Sequence, residues 1–390
     1  MKGVGNIMEF ELNEQQKMIQ DTVRRFLKKE IAPLAEEYES ARKLLTKDIV
    51  KKLAPFGYGG AFVPEEVGGL GLDFISYSIM VEELSGVWGS LRTIVTTNNQ
   101  ASRIIALEGS KRQREKFLPG LLAMDDLCCF ALTEPNVGSD SRSIETKAVR
   151  DGDYYVINGT KTLITGGSLA DILVVFATVD RAKGAKGITA FMVQKNESKY
   201  HATDIPKMGM HSSVLSELSF EDCKVPLENR LGEEGEGLKI ALRELNIGRI
   251  TVTFSVIGLA QAALEAAIRY AKERNQFGKP IGSFQLVQEM IVNMAMKVDL
   301  ARLSGYRAAD LFNRGIDCRR EASFAKLYST QAMLEVIDDA IQIHGGYGYT
   351  REFPVERYYR DARHLKLAEG TIEMQKLILG RDILGLSAFV

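Results

Sequence analysis

Glu369 stands in Leu367-Ala368-Glu369-Gly370-Thr371, between an apolar approach and a glycine. A carboxylate placed there loses water, and desolvation raises its pKa toward the range of a useful general base. Thr133-Glu134-Pro135-Asn136-Val137-Gly138-Ser139-Asp140 gathers hydroxyls and unencumbered backbone amides suited to a phosphate or a polar ring edge, although the same residue types also make ordinary turns. Gly345-Gly346-Tyr347-Gly348 follows a helical pattern rather than a strand and lacks the full GxGxxG spacing, so a Rossmann fingerprint fails and a helix-ending turn remains. Arg92, Arg249 and Arg274 are candidates for anionic ligands or for ion pairs within the fold. The four histidines, His201, His211, His344 and His364, are not paired at metal-ligand spacing, and no G-x-S-x-G, H-E-x-x-H or P-loop occurs. Hydrolase, zinc and NTPase chemistry lose support, and no metal site is expected.

Composition narrows the field further. The 390 residues carry 50 Lys+Arg against 51 Asp+Glu and are 45% hydrophobic, enough to bury a large core in two or three domains. A net charge of -1 offers no clustered basic surface for nucleic acid or an anionic membrane, so small molecules and proteins are the expected partners. Four cysteines, two of them adjacent at Cys128 and Cys129, make no disulfide framework and point to a reducing compartment. The opening MKGVGNIMEF lacks a signal-peptide core, and no run of about 18 uncharged apolar residues is present. The cytoplasm, or an organelle matrix, is the expected location.

These residues need elements to hold them. Asn13 with Gln16 reads as a helix cap, and Ile19, Val23, Phe26 and Leu27 recur at helical spacing until Pro33 stops the run. Helical periodicity at 75–84 and 99–107 predicts a helical domain over 1–125. Over 126–235 the period falls to two. Tyr154 to Ile157 and Thr160 to Thr165 read as a hairpin about Asn158-Gly159, with further strands at Ile172 to Thr178 and Ile188 to Val193. Helical spacing returns over 236–390, where Val256, Leu259, Ala260, Ala263, Ala267 and Tyr270 share a face and amphipathic runs follow at 284–315 and 320–343. The fold class is α+β, in the order helical, β, helical.

Six pieces, TEPNVGSD at 133–140, INGTKTLIT at 157–165, FEDCKVP at 220–226, ERNQFGKPIGSFQ at 273–285, QIHGGYGY at 342–349 and AEGTIEMQ at 368–375, occur in the order and spacing of the acyl-CoA dehydrogenase family. The resemblance runs from Phe10 to Gly385. It implies an N-terminal helical domain, a middle β-barrel-like domain and a C-terminal four-helix bundle, with FAD bound between them. It also implies a homotetramer in which segments matching Arg274, Phe277, Gln285, Gln342 and Gly346 complete a neighbour's FAD site. By similarity Thr133 meets the flavin pyrimidine edge and Thr165 faces N5, with Phe130, Leu132, Gly138 and Ser139 around ring and substrate, and Thr371 and Glu373 touching the flavin. Glu369 is then the base that removes the α-proton of an acyl-CoA while hydride passes to flavin N5. Some relatives carry the base immediately before the residue matching Arg249, but Gly248 stands there, which leaves Glu369; Arg249 and Gly370 belong to the substrate side. The resemblance also implies electron transfer flavoprotein as acceptor.

Within the family, Ser90-Leu91-Arg92-Thr93-Ile94-Val95-Thr96 is similar to the glutaryl-CoA dehydrogenase stretch whose Arg and hydroxyl hold a distal carboxylate, so Arg92 and Thr96 predict a glutaryl-like or other carboxylated substrate. Ala368 and Ser85 replace residues usual in decarboxylating members, which argues against CO2 release. Ala368 also leaves room for a bulky acyl group, Leu163 replaces a tryptophan that flanks the flavin, and His211 replaces a common arginine. The alternatives are a plain short, branched or cyclic acyl-CoA, an acyl group on acyl carrier protein, and a non-catalytic flavin-containing binding protein.

Overall fold

The chain enters its first helix, α1 (Glu14–Phe26), through a capping box. The Gln16 N–H donates to the Asn13 side chain at 2.9 Å, and the Asn13 N–H donates to the Gln16 side chain at 3.1 Å. Two otherwise orphaned donors are satisfied, worth about 1 kcal/mol. In the computed structural model, which describes residues 11–388, the expected stop at Pro33 is absent; the opening decapeptide lies outside the described residues. A wide turn over Leu27–Ile31, closed by the Ala32 N–H on the Leu27 carbonyl, leads straight into α2 (Ala32–Ser40). Pro33 sits in the first turn of that helix, where its missing N–H costs nothing. The helical half continues through α3 (Lys47–Lys51), α4 (Phe74–Val87), α5 (Gly89–Glu108) and α6 (Lys111–Leu122).

Eight strands follow: β1 (Cys128–Ala131), β2 (Lys147–Asp151), β3 (Tyr154–Thr165), β4 (Ile172–Thr178), β5 (Ile188–Gln194), β6 (His201–Asp204), β7 (Leu215–Pro226) and β8 (Arg230–Leu231). Their order is β6-β7-β3-β2-β4-β5-β8, and β1 pairs in parallel with β4. Every residue of β4 is buried, because its two faces serve two cores. Val174 and Phe176 pack toward α5 and α6, while Leu173 and Val175 meet side chains of β3 and β7. Strands distant in the sheet order thus share an interior, so the sheet curls into a barrel-like body.

The hairpin expected at Asn158-Gly159 is not there. β3 runs unbroken through both residues, and the hairpin comes earlier, between β2 and β3, where Gly152 has φ +56°. Asn158 and Gly159 instead mark a register shift against β7, with the Asp222 N–H donating to Asn158 Oδ1 at 2.9 Å. A Cβ on Gly159 would lie 2.6 Å from Thr146 Oγ1, so this glycine permits close approach rather than a turn. Asn-Gly turns a chain when its flanks pair with each other; here the flanks pair with β2 and β7 instead.

The second helical part comprises α7 (Gly237–Glu273), a small hairpin of β9 (Asn275–Gln276) and β10 (Lys279–Pro280), then α8 (Gln285–Asn313), α9 (Arg319–His344), α10 (Val355–Arg363) and α11 (Ile372–Leu384). The face forecast for α7 is the buried one: Val256, Leu259, Ala260, Ala263 and Ala267 are all enclosed, and Tyr270 is partly so. α7 is long and apolar enough to cross a membrane, yet 78% of its most apolar window is buried by neighbouring helices. One apolar core runs from α1 and α2 through α4 and α5 into α7, α8, α9 and α10, so the two helical parts are a single packed body beside the sheet.

α4 and α7 cross where neither carries a side chain. A Cβ on Gly258 would fall 2.1 Å from the Glu82 carbonyl oxygen. Gly258→Ala is therefore expected to force the crossing apart and to cost roughly 1 to 3 kcal/mol, read as a lower urea midpoint followed by helical circular dichroism. An unchanged midpoint would show that the two helices are not so closely held.

Candidate functional site

Glu369 lies between α10 and α11 in a backbone that few side chains adopt, with φ +55° at Glu369 and +87° at Gly370. The strain, on the order of 1 kcal/mol or more, is held by two wholly buried side chains. Lys326 Nζ donates to the Gly370 carbonyl at 2.7 Å and to that of Lys366 at 3.1 Å. Gln375 Nε2 donates to the Gly370 carbonyl at 3.0 Å and to that of Glu369 at 3.3 Å. Below the turn, Thr371 caps α11 by accepting the Met374 N–H at 3.3 Å.

The turn aims the Glu369 carboxylate into a cavity of about 110 Å³ that Arg92 and Thr96 of α5, Thr165 of β3, Gly248 of α7 and His364 also line. Four separate elements supply that wall, and all three parts of the chain reach it. Among the described residues Glu369 Oε2 is buried with no hydrogen-bond partner, while the Gln100 amide faces the carboxylate and pulls its pKa down. Burial pushes the Glu369 carboxyl up to about 7, against the opposing pull of Arg249 and Lys326 and with some help from Glu244. A carboxylate so placed takes a proton readily near neutral pH. Position 248 is equally constrained: a Cβ there would sit 2.4 Å from Glu369 Oε2, so the space in which some relatives place their base is the space this carboxylate fills.

Arg92 is 3% exposed, yet among the described residues it makes no ion pair. Its Nη2 touches Met210 Sδ at 3.9 Å, and Nε has no partner. Burial lowers its pKa to about 10, opposed by the nearby Asp361, so the guanidinium stays charged at neutral pH. His364 donates Nδ1–H to the Asp361 carbonyl at 2.7 Å, and burial together with Arg92 pushes it down to about 4, leaving a neutral imidazole on the cavity wall. Arg249 is not on that wall; its Nη1 bonds Asn246 Oδ1 at 3.1 Å and Ser323 Oγ at 3.5 Å, while its Nε is buried and unpartnered.

The remaining expected site residues fall in two further places. Phe130, Leu132 and Thr133 end β1 and begin the crossover to the sheet. Gly138 and Ser139 lie beyond the tight turn in which Glu134 and Val137 exchange backbone hydrogen bonds. That crossover is anchored from behind: Lys161 Nζ donates to the Leu132 carbonyl at 3.0 Å and to Glu134 Oε1 at 2.7 Å, and the Thr162 N–H holds the Thr133 carbonyl at 2.9 Å. Leu163, with φ +58°, is exposed beside it. Arg274 and Gly346 share a separate cavity of about 490 Å³ with Tyr270, His344 and Tyr347. Phe277, 93% exposed, and Gln285 stand outside both cavities on the small hairpin and the start of α8. Gln342 accepts the Gly345 N–H in the last turn of α9, and Glu373 is exposed in the first turn of α11. Thus the structure brings Arg92, Thr96, Thr165 and Glu369 together, and the second group apart from them. The sequence did not single out Tyr77, Gln100, Glu244, His364, Lys326 or Gln375, since no local pattern marks a polar residue that folding will bury.

Three stretches of the chain match family descriptions in register with this layout: the acyl-CoA dehydrogenase N-terminal domain over residues 13–125, the middle domain over 129–223 and the C-terminal domain over 235–384. The chain belongs to the acyl-CoA dehydrogenase family. Caffeyl-CoA reductase-Etf complex subunit CarC of Acetobacterium woodii is 41% identical over 375 residues, covering 95% of this chain and 99% of that protein. Butyryl-CoA dehydrogenase from Megasphaera elsdenii is similar in structure with TM-score 0.93 at 38% identity, over 97% of this chain and all of the other. A glutaryl-coenzyme A dehydrogenase in complex with glutaryl-CoA reaches TM-score 0.93 at 35% identity over 97% of each chain.

The enzyme is accordingly a flavin-dependent oxidoreductase whose cofactor is FAD. The residues present fit such a group. A Cβ on Gly138 or Gly346 would meet no atom within 4 Å, so backbone faces open space a ligand can fill. Leu163 and Phe277 offer apolar surface that nothing in the single chain covers, and Arg274 supplies a guanidinium for an anionic part.

Gly248→Ala should displace the Glu369 carboxylate and lower turnover by on the order of 100-fold, with FAD content retained. Stopped-flow reduction of the FAD-loaded protein by acyl-CoA tests this; a wild-type rate would mean that Glu369 does not need that space.

Proposed function

We propose that this enzyme performs α,β-dehydrogenation of an acyl-CoA bearing a distal carboxylate, glutaryl-like or otherwise carboxylated and bulky, with Glu369 as the base. The observation that carries the substrate class is Arg92: a buried guanidinium without an ion-pair partner among the described residues, on the wall of the cavity that holds Glu369. Such a cation is costly unless an anion completes it, and a substrate carboxylate would make two charge-assisted hydrogen bonds there. Thr96 and the neutral His364 line the same wall and offer further polar contacts to that end of the acyl group.

In this proposal the thioester α-carbon lies against Glu369. The α C–H bond breaks, its proton passes to a Glu369 oxygen, and the electron pair left behind forms the α,β double bond as hydrogen leaves the β-carbon. FAD, when bound, supplies the acceptor for that hydrogen with its electron pair. Thr133, Ser139, Leu163 and Thr165 would hold its ring, and Thr371 and Glu373 its edge; Arg274, Phe277, Gln285, Gln342 and Gly346 would serve an adjoining subunit. Burial keeps water from competing for the Glu369 proton, and Arg249 steadies its negative charge. The expected product is the enoyl thioester with its carboxylate retained, since Ala368 and Ser85 stand where decarboxylating relatives differ.

The relative named for an Etf complex supports electron transfer flavoprotein as acceptor. Exposed Leu286, Val292 and Met296 along α8, with Phe277, supply the apolar surface that a homotetramer would bury. The butyryl-CoA dehydrogenase likeness favours a second reading, a plain short-chain substrate in which Arg92 serves the fold.

Anaerobic bleaching of the flavin by a thioester panel separates these. Glutaryl-CoA should bleach the protein, and Arg92→Met should lower its kcat/KM by roughly 10- to 100-fold while leaving butyryl-CoA little changed. Equal loss for both substrates would return Arg92 to a structural role. Glu369→Gln should bind either thioester and lose turnover by on the order of 100-fold or more; retained turnover would remove Glu369 from the chemistry. Loading the same acyl group on acyl carrier protein tests the other carrier, and turnover of that form alone would overturn the CoA assignment.

A further inference from the structure

The turn that presents Glu369 is held from beneath by Lys326, a residue one helix away with no surface in contact with solvent. Its ammonium has two of its three donors committed, to the carbonyls of Gly370 and Lys366, which flank the base in sequence. Gln375 makes the same kind of contact, to the carbonyls of Glu369 and Gly370, but carries no charge. A buried lysine that grips backbone carbonyls without an ion-pair partner of its own is costly to keep. Either neutral core packing or a second glutamine could have held the turn, so the charge itself calls for a use.

We propose that Lys326 is a positioning residue for the base: it locks the left-handed Glu369-Gly370 turn through two carbonyls, and its positive charge sets the pH at which Glu369 becomes able to accept a proton.

The charges facing Glu369 can be counted element by element. Arg249 and Glu244 face it from α7, and Glu244 is itself paired with Arg103 at 2.5 Å and with Arg243 at 3.0 Å. From α9 comes Lys326, and from α5 the neutral Gln100 amide, while Arg92 of α5, charged, and His364 beyond α10, neutral, line the same cavity. Glu373 on α11 faces Lys326 rather than the base. Arg249 and Lys326 are therefore the two cations that hold the carboxylate's proton affinity down against burial. Burial also lowers the Lys326 pKa to about 8, so it is mostly charged at the midpoint of the Glu369 titration near 7. The sign follows: removing Lys326 leaves desolvation less opposed, Glu369 holds its proton to higher pH, and the acid limb of the activity profile moves up. Removing Gln375 loosens the turn without removing a charge, so turnover falls and the limb stays.

The inference rests on Glu369 being the base, and the two are separable. The FAD-loaded enzyme is assayed with both butyryl-CoA and glutaryl-CoA, so that the choice of acyl group does not decide the result, and kcat/KM is followed across the pH range around neutrality. Lys326→Met and the milder Lys326→Gln, which keeps a donor within reach of the carbonyls, should each raise the acid limb by about one pH unit or more. Gln375→Leu should lower kcat roughly 10- to 100-fold with the limb unmoved. A limb that coincides with wild type in either Lys326 variant that retains FAD overturns the proposal. Failure of both to fold or to hold FAD overturns it as well, because Lys326 would then belong to the core rather than to the base. Retained turnover in Glu369→Gln would instead defeat the base assignment, whatever the Lys326 variants do.

Discussion

One carboxylate, kept from water and with one of its oxygens left unpartnered, sets the terms for everything around it. A buried Glu that met a donor would lose its basicity, and one that met bulk water would return to its ordinary pKa. Glu369 avoids both: Oε2 is buried and unpartnered, and the charges near it act at a distance rather than by contact. Desolvation is the largest influence on it, with Arg249 and Lys326 next and opposite in sign. The result, near 7, is a compromise between burial and those two cations. The left-handed backbone at Glu369 and Gly370 and the absent side chain at Gly248 leave it few other places to go.

Rigidity at that point explains the division of the chain. The two helical parts share one apolar core, which fixes α5, α7 and α9 relative to each other and so fixes Arg92, Gly248 and Lys326 relative to Glu369. The sheet joins through a second core that packs α5, α6 and the start of α7 against β4 and β5. Thr165, at the end of β3, arrives at the same cavity by that route. Behind the crossover, the buried Lys161 to Glu134 pair and the Lys161 bond to the Leu132 carbonyl fasten the loop bearing Thr133 to β3. Glu134 gives its two oxygens to the N–H groups of Glu145 and Thr146 as well, so that buried pair is satisfied on both sides.

Much of this was legible in the sequence where a local rule and the fold agree. The Asn13 cap, the apolar face of α7 and the strands at 172–178 and 188–194 each repeat a short-range pattern whose period survives folding. Rules failed where distant partners outbid neighbours. Asn158-Gly159 carries a hairpin signal, yet β2 and β7 pair with the strand through it and leave only a register shift there. Pro33 ends one helical run only to begin another. Within the site, the glycine and apolar residues flanking Glu369 only allowed it a role that a solvated Glu would not have, and it stood out through the resemblance of its segment to the family. Lys326 and Gln375 did not, since Lys on a helix ordinarily faces water and nothing within a few residues of 326 foretells the two carbonyls that await it. Burial of a polar group is a property of the assembled fold, and a one-dimensional pattern records it only through its cost.

Two of the buried cations near this cavity are used differently, and the contrast bears on what the cavity takes. Lys326 spends its donors on the backbone carbonyls on either side of Glu369. Arg92 spends almost none: a sulfur contact at 3.9 Å is a poor acceptor for a guanidinium, and Nε meets nothing. Asp361 lies close enough to be felt, but its carboxylate accepts the Met210 N–H, and burial with the neighbouring Glu39 raises its pKa to about 7, so it compensates Arg92 weakly. An arginine needed only for the fold would be expected to close on Asp361 with a bidentate pair, the arrangement Arg302 makes with Glu82 elsewhere in the same core. That it does not leaves donors at a cavity that Glu369 also lines. Carrying such a charge unpaired destabilises the free protein, which is the physical ground on which we propose an acyl chain ending in an anion as the ligand.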